Sequence, residues 1–312
     1  MDLTSDKLVV VIRSSGERTL NSCVELVQSQ IDNDSIIIVE EFPFEKALRK
    51  CYKLAIDSQK EWLLTIDADM LITKNAISNL LDHGLSSEED VFQLQGLIFD
   101  KLTYSYRNAG PRLYRSKYLQ KALQFLPEDR STIRPEFTII EQMKVSGLKS
   151  IETGELYAIH DFEQFYNDVY RKSFVHAQKH AYLIPDLIKI WQSLVGIDSD
   201  YKIALRGLYD GMLFEKLAVI DKRDYNELAS NALRDLNLQE KSNVVVMSDM
   251  HDYVDEIVKL AGEIPKELTS IQTNSTFSQK INSIISEKGF LKSFLFITGV
   301  GFSKIGEKLK SF

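Results

Sequence analysis

Three short apolar runs, residues 8–12, 35–39 and 62–66, divide the first 70 residues of the chain. Continuous apolar runs of this length predict strands that are buried on both faces of a parallel sheet. Between them, residues 20–30 and 44–58 have apolar side chains at helical spacing, which predicts helices with one buried face. Because strand and helix alternate, we expect right-handed crossovers and a parallel sheet.

The pattern after residue 70 is less regular. Residues 91–99 and 157–160 predict two further strands, and residues 135–145 predict a helix that ends near Gly147. From about residue 162 onward the spacing is mostly helical, apart from a short apolar run at 244–247 that also fits a strand.

This organisation predicts an α/β domain over residues 1–180 and a mainly helical extension over 181–268. Residues 269–312 predict a linker followed by an amphipathic helix, because a stretch rich in Ser, Thr, Asn and Gln precedes an apolar segment with interleaved lysines. A helix of that kind at 289–312 suits peripheral contact with an anionic membrane. It also suits docking on the core or on a second copy in a homo-oligomer.

The composition narrows the classes of function. Lys and Arg number 38 and Asp and Glu number 45, which gives a net charge of −7. Nucleic-acid-binding proteins usually carry a basic surplus, so we predict no nucleic-acid partner. Cys23 and Cys51 lie among apolar neighbours and predict buried free thiols, which fits a reducing cytoplasm. The first residues lack the pattern of a signal peptide.

Two carboxylates follow directly on the third predicted strand, at Asp67 and Asp69. Side chains two residues apart on an extended segment point the same way, so both carboxylates are expected to face one point. The carboxyl end of a parallel strand is where open α/β sheets bind ligands. Two hard oxygen ligands there suit Mn²⁺ or Mg²⁺, with phosphate oxygens and waters completing the shell. The alternative is a pair of solvated loop acids.

Residues 9–72 resemble the nucleotide-binding half of GT-A glycosyltransferases, especially the family 2 group. The likeness lies in the order of strand, polar loop, helix, strand ending in an acid, helix, and strand ending in Asp-x-Asp. It implies a Rossmann-like α/β fold with a mostly parallel sheet and flanking helices, followed here by the helical extension. It also implies that Asp69 ligates the metal and that Asp67 contacts the metal or the nucleotide ribose.

The same resemblance implies roles for residues near the first two strands. Glu40 stands where the family has an acid that meets the uracil or the ribose. Arg13, Ser14 and Glu17 stand in the loop that wraps the base in the family. This loop lacks the family's usual Pro-x-Tyr-Asn, so the identity of the nucleotide stays open.

More loosely, the likeness extends to about His160. Glu136, at the start of a predicted helix, is the candidate base that would take a proton from the acceptor hydroxyl. Its alternatives are a charge that favours the helix N-terminus and a competing base at Glu141. His160 stands where many GT-A enzymes have a further metal ligand, and imidazole suits Mn²⁺. Asp161 beside it is a candidate for a similar role.

Cationic side chains add candidates for binding anions. Arg112, in a loop that the resemblance places along the donor sugar and acceptor, is expected to pair with the diphosphate or an anionic acceptor. Lys172 lies in a basic helix where the family has a segment that closes over the diphosphate. His176 and His180 in that helix are one turn apart, but no Glu follows the first as in His-Glu-x-x-His, so a basic helix face is favoured over a zinc site.

These patterns predict a cytoplasmic glycosyltransferase, at the inner face of the membrane if residues 289–312 bind lipid. The expected reaction moves a sugar from a nucleotide-diphosphate donor to a hydroxyl of a saccharide or lipid-linked acceptor, with Mn²⁺ or Mg²⁺ and with inversion as the family default. One alternative is a nucleotidyltransferase acting on a sugar phosphate. Another is a non-catalytic GT-A-like binding or scaffold subunit.

Overall fold

The computed structural model describes residues 6–219, 224–243, 245 and 249–263. The predicted linker and amphipathic helix over 269–312, and most of the run at 244–247, lie outside these residues, so those predictions and the membrane contact stay predictions. Among the helices that are described, none combines the length and the apolar character that crossing a bilayer requires.

One sheet contains seven strands of the described residues: β1 Leu8–Ser14, β2 Ile36–Glu40, β3 Trp62–Asp67, β4 Met70–Ile72, β5 Val91–Asp100, β6 Ser105–Arg115 and β7 Lys149–His160. Their order in the sheet is β2-β1-β3-β6-β5-β7-β4. β1 pairs in parallel with β2 and β3, as predicted, and β7 pairs in parallel with β5. β6 follows β5 through a short connection and is antiparallel to both β5 and β3, and β4 is antiparallel to β7. β1, β2, β3, β5 and β7 therefore run in one direction.

Helices cover both faces of this sheet, so the predicted α/β fold class is confirmed. Side chains of β1 alternate between two cores, with Leu8 and Val10 in one and Val9 and Val11 in the other. The helices of the described residues are α1 Leu20–Gln28, α2 Phe44–Ser58, α3 Ala76–Ser86, α4 Leu119–Ala122, α5 Pro135–Val145, α6 Tyr166–Lys179, α7 Ile184–Leu194, α8 Asp200–Leu213, α9 Asn226–Asp235 and α10 Met250–Glu263. The first core contains side chains of α1, α3 and α10, and the second contains side chains of α2, α4 and α5.

Cys23 on α1 and Cys51 on α2 are buried free thiols, one in each core, as predicted. Burial raises the pKa of Cys51 to about 11, so this thiol is protonated at neutral pH. Both cysteines therefore act as small apolar side chains that fill the space between the helices and the sheet.

A third core lies among α6, α7, α8 and α9 and forms the helical part of the chain. Buried polar contacts join it to the sheet directly after β5. The Trp191 indole donates to the Leu102 carbonyl at 2.6 Å, and the Lys101 ammonium pairs with Asp200, which is fully buried. The helical part is thus fixed next to the carboxyl end of β5. The domain boundary predicted at residue 180 stays a prediction.

Two glycines bring α8 against α6. A Cβ atom added at Gly207 would overlap the Tyr170 carbonyl oxygen, and one added at Gly211 would overlap that of Phe174. Because both obstacles are backbone atoms of α6, a larger residue at either position must push the two helices apart. These glycines therefore set the position of α6, which carries several of the charged side chains described below.

We expect Gly207→Ala to lower the free energy of unfolding by about 1–3 kcal/mol, the usual cost of overpacking a core. Gly196→Ala is the matched control, since an added Cβ atom there meets nothing within 4 Å. Urea unfolding of both variants measures the difference. Equal stability of the two variants would show that the contact between α6 and α8 is not tight.

Candidate functional site

Asp69, His160 and Asp161 meet at the carboxyl ends of β3 and β7. β3 ends at Asp67, and the chain turns through Ala68 and Asp69 into β4. β4 pairs with β7 so that Met70 lies opposite His160, and the Asp161 amide donates to the Asp69 carbonyl at 3.3 Å. This strand pairing brings together residues that are far apart in the sequence.

The side chains of these residues form a compact group of ligand atoms. One ligand atom from each residue lies within 4.8 Å of the others. The His160 Nε2 atom is 3.5 Å from Asp69 Oδ1, which is buried and has no hydrogen-bond donor among the described residues. Two carboxylates and one imidazole are a donor set that suits Mn²⁺ and related divalent cations. The residues therefore fit a divalent metal, and the orphaned Asp69 oxygen favours such a ligand.

Lys172 on α6 reaches into the same group. Its ammonium donates to Asp69 Oδ2 and to Asp161 Oδ1. Burial raises the pKa of Asp69, but Lys172 and His160 outweigh burial and hold the pKa well below its ordinary value. Two buried carboxylates at this position thus require positive charge beside them, and Lys172 supplies part of it.

Asp100, the last residue of β5, orients His160. Its Oδ2 atom lies 2.8 Å from His160 Nδ1 and accepts from Arg107 Nε at 2.9 Å. Burial lowers the pKa of His160, but Asp161 and Asp69 outweigh it and raise the pKa to about 10. With Nδ1 directed at Asp100, the Nε2 atom is the one that faces Asp69. Without a metal this nitrogen carries a proton at neutral pH, and a divalent cation would bind here by displacing that proton.

Asp67 lies outside this group and has different partners. Ala68 and Asp69 form a turn, so the extended geometry that would align the two carboxylates is interrupted between them. Asp67 Oδ1 accepts from Arg13 Nε at 2.7 Å, and the Asp67 side chain is 30% exposed. The metal and ribose contacts predicted for Asp67 stay predictions.

Glu136, at the start of α5, is held by three donors. Arg13 and the Tyr114 hydroxyl donate to Oε1 at 2.9 and 2.7 Å, and Arg112 donates to Oε2. The Glu136 side chain is only 7% exposed. The base role predicted for Glu136 stays a prediction, and these contacts argue against it because both oxygens already pair with arginines. Arg13 links Glu136 to Asp67 in one ionic network.

The Glu17 carboxylate accepts hydrogen bonds within the loop that follows β1. Glu17 accepts from the Ser14 hydroxyl at 3.0 Å and from the Ser15 amide at 2.7 Å. Gly16 has a φ of 84°, a left-handed conformation that glycine adopts without strain. Glu40 lies opposite Ser14 in the pairing of β1 with β2 and is exposed. Arg13, Ser14, Glu17 and Glu40 thus lie at the edge of the sheet that carries Asp67, and their nucleotide contacts stay predictions.

Asp100 is a site residue that was not predicted from the sequence. It ends β5 as Asp67 ends β3, and an acid at the carboxyl end of a buried strand was a usable signal. The predicted strand at 91–99 stopped one residue short of it. Its link to His160 was not visible because it depends on the parallel pairing of β5 with β7.

Comparison with known proteins gave matches among solved structures. No family model and no curated protein matches the chain. A mannosyltransferase from Pyrobaculum calidifontis, solved with GDP-mannose and Mn²⁺, is similar over 87% of this chain and 84% of its own, at 10% identity and a TM-score of 0.39. A glycosyltransferase involved in glycosylation of the major capsid of PBCV-1 is similar over 50% of this chain and 93% of its own, at 11% identity and a TM-score of 0.37.

A nucleotidyltransferase is similar to about the same degree. It is a cytidylyltransferase from Leptospira borgpetersenii, with 61% of this chain and 96% of its own covered, 12% identity and a TM-score of 0.38. At these TM-scores and identities, neither an activity nor a residue's role carries over from any of these proteins. The function of this chain has to be argued from its own side chains.

Proposed function

We propose that the protein is a metal-dependent glycosyltransferase that uses a nucleotide-diphosphate sugar. The observation that carries the proposal is the cluster of Asp69, His160 and Asp161, with an orphaned Asp69 oxygen, at the carboxyl ends of β3 and β7. This edge of an α/β sheet is where ligands bind. A donor set of two carboxylates and an imidazole, backed by Asp100, suits Mn²⁺ or Mg²⁺.

Different side chains of the site would bind different parts of the donor. Asp69, His160 and Asp161 would hold a divalent cation, which would supply positive charge to the diphosphate leaving group. Lys172 adds a second positive charge beside them. The partly exposed Asp67 carboxylate accepts hydrogen bonds from the ribose hydroxyls, with its orientation fixed by Arg13.

The transfer itself replaces one bond at the anomeric carbon. An acceptor hydroxyl attacks this carbon, the bond from the carbon to the diphosphate oxygen breaks, and the hydroxyl proton passes to a base. Inversion at the anomeric carbon is the expected course. A saccharide or lipid-linked acceptor, a homo-oligomer and a membrane contact remain part of the proposal.

Nucleotide-sugar hydrolysis is the first test of this function. We expect the purified protein to release a nucleoside diphosphate from one of a panel of UDP- and GDP-sugars when Mn²⁺ is present, and to stop when EDTA removes the metal. Many transferases without their acceptor transfer the sugar slowly to water, so no acceptor has to be known. The reaction is followed by chromatography of the nucleotides.

A parallel incubation with a sugar phosphate and a nucleoside triphosphate tests the alternative enzyme. Release of pyrophosphate there, without hydrolysis of any nucleotide sugar, would show a nucleotidyltransferase instead. Metal-dependent binding of a nucleoside diphosphate with neither reaction would favour a binding or scaffold subunit. Either outcome contradicts the proposed transfer.

A further inference from the structure

Near the site, the described residues include two cations that have no carboxylate partner. Arg134 precedes α5, and Lys179 is the last residue of α6. An Arg134 amino group donates to the Lys179 carbonyl at 2.8 Å and lies 3.3 Å from His180 Nδ1. Among the described residues, neither the Arg134 guanidinium nor the Lys179 ammonium forms an ion pair. Both charges are therefore uncompensated by the part of the chain that the structure describes.

Further arginines raise the positive potential at this place. The pKa of Lys179 falls to about 8, through burial first and then through Arg107, Arg134 and Arg112. Arg107 already pairs with Asp100, and Arg112 already pairs with Glu136. The surplus charge thus belongs to Arg134 and Lys179. The whole chain has a net charge of −7, but positive charge is in excess around Arg134 and Lys179. This local excess favours an anionic ligand.

Lys179 lies further along α6 than Lys172, the lysine of the metal cluster. Lys172, His176 and Lys179 recur at helical spacing on one face of α6, and Lys172 contacts Asp69 and Asp161. Seven residues of helix separate the backbones of Lys172 and Lys179 by about 10 Å along the axis of α6. Asp69 and Asp161 accept hydrogen bonds from the Lys172 ammonium, whereas no carboxylate among the described residues pairs with Lys179. The two lysines on this face of α6 therefore have different surroundings.

Aromatic rings lie near Arg134 and the C-terminal end of α6. The Arg134 guanidinium lies 6.0 Å from the centroid of the Phe137 ring, and the His180 and Tyr182 ring centroids are 6.0 Å apart. Phe137 is 52% exposed and Tyr182 is 41% exposed. Burial, with Lys179 and Arg134, lowers the pKa of His180 to about 3, so its ring is neutral at pH 7. Exposed aromatic faces beside cations suit a ligand that joins an apolar or sugar surface to an anionic group.

We propose that Arg134 and Lys179 form an anion site for the acceptor, which therefore carries a phosphate or carboxylate group. The proposal rests on the transfer function and deepens it by naming the class of acceptor. The donor diphosphate occupies the end of α6 near Lys172, and the acceptor anion occupies the end near Lys179. The cation pair would then hold the acceptor so that its hydroxyl faces the donor sugar.

A titration with simple anions tests this site. The full chain is first saturated with Mg²⁺ and the nucleoside diphosphate that binds best, and inorganic phosphate or acetate is then added in a calorimeter. We expect one of these anions to bind while the nucleotide stays bound. The double variant Arg134→Gln/Lys179→Gln is expected to weaken that binding at least about tenfold, because two charged hydrogen-bond donors are lost.

A variant with the same change in charge controls for long-range electrostatics. Arg49 and Lys189 are exposed cations on α2 and α7, and Arg49→Gln/Lys189→Gln is expected to bind the anion as the wild type does. The affinity for the nucleoside diphosphate is expected to be nearly equal in all three proteins. Anion binding only to metal-loaded protein without nucleotide, equal weakening by the control, or an equal loss of nucleotide affinity in the Arg134/Lys179 variant would overturn the proposal.

The two proposals fail in distinguishable ways. Absence of metal-dependent nucleotide binding would contradict the proposed function, whereas the anion titration can also be made on metal-free protein in EDTA. If metal-free wild type binds neither phosphate nor acetate more tightly than the Arg134/Lys179 variant does, the anion site is wrong even where the transferase function holds.

Discussion

Asp69→Asn is expected to abolish the joint stabilisation of the protein by Mn²⁺ and a nucleoside diphosphate. A ligand at 100 times its dissociation constant stabilises the native state by about 2.7 kcal/mol. Asn keeps the shape of the side chain but removes the charge of the buried carboxylate that faces His160 and Lys172. Because a neutral amide oxygen holds a divalent cation more weakly than a carboxylate does, we expect the nucleotide to lose its metal-dependent contact with the protein. Thermal unfolding with and without both ligands measures the effect.

The control for this substitution is Asp57→Asn, at an exposed position on α2. It is expected to keep the full ligand-dependent shift. Unfolding of the ligand-free Asp69→Asn protein shows that the variant is folded, and Asp161 remains as a partner for Lys172. An undiminished shift in Asp69→Asn would mean that the metal and nucleotide bind elsewhere.

Glu136→Gln is expected to destabilise the fold by about 3–5 kcal/mol. Removing one partner of a buried ion pair leaves the other charge uncompensated, and here Arg112 would lose the carboxylate that it contacts. Arg13 would keep only Asp67. Denaturant unfolding measures the change in the free energy of unfolding, and a shift of this size is among the larger effects of a point substitution.

Glu141→Gln on the same helix is the matched control. Glu141 pairs with Lys144, and both side chains are 45% exposed, so its loss is expected to cost less than about 1 kcal/mol. The base role makes the opposite prediction for Glu136→Gln, namely stability close to wild type with loss of turnover. That result would show that Glu136 acts on the acceptor and that its ion pairs are dispensable.

The first half of the fold could be predicted because its pattern is local. Strands buried on both faces give continuous apolar runs, and the helices between them have one apolar stripe, so β1, α1, β2, α2 and β3 follow from the sequence. β6 could not be predicted in this way, and Arg112, which was expected in a loop, lies within this strand. Its pairing depends on the short connection from β5 and on contacts with β3 that no periodicity records.

The candidate site could be predicted only in part, because it too depends on contacts between segments that are distant in the sequence. The resemblance pointed to Asp69 and His160, which the pairing of β4 with β7 brings together. The turn at Ala68 and Asp69 breaks the extended geometry on which a shared metal site for Asp67 was predicted. The ion pairs of Glu136 join three distant segments, and such pairs leave no spacing signal in a sequence.

Anomalous diffraction from crystals grown with Mn²⁺ and a nucleoside diphosphate tests the central claim most directly. Data collected at the manganese edge locate the ion without assumptions about activity. The account predicts one strong peak within coordination distance, about 2 Å, of an Asp69 carboxylate oxygen and the His160 imidazole, with diphosphate density on its other side. Bound nucleotide with Lys172 still between Asp69 and Asp161, and the manganese peak elsewhere or missing, would contradict it.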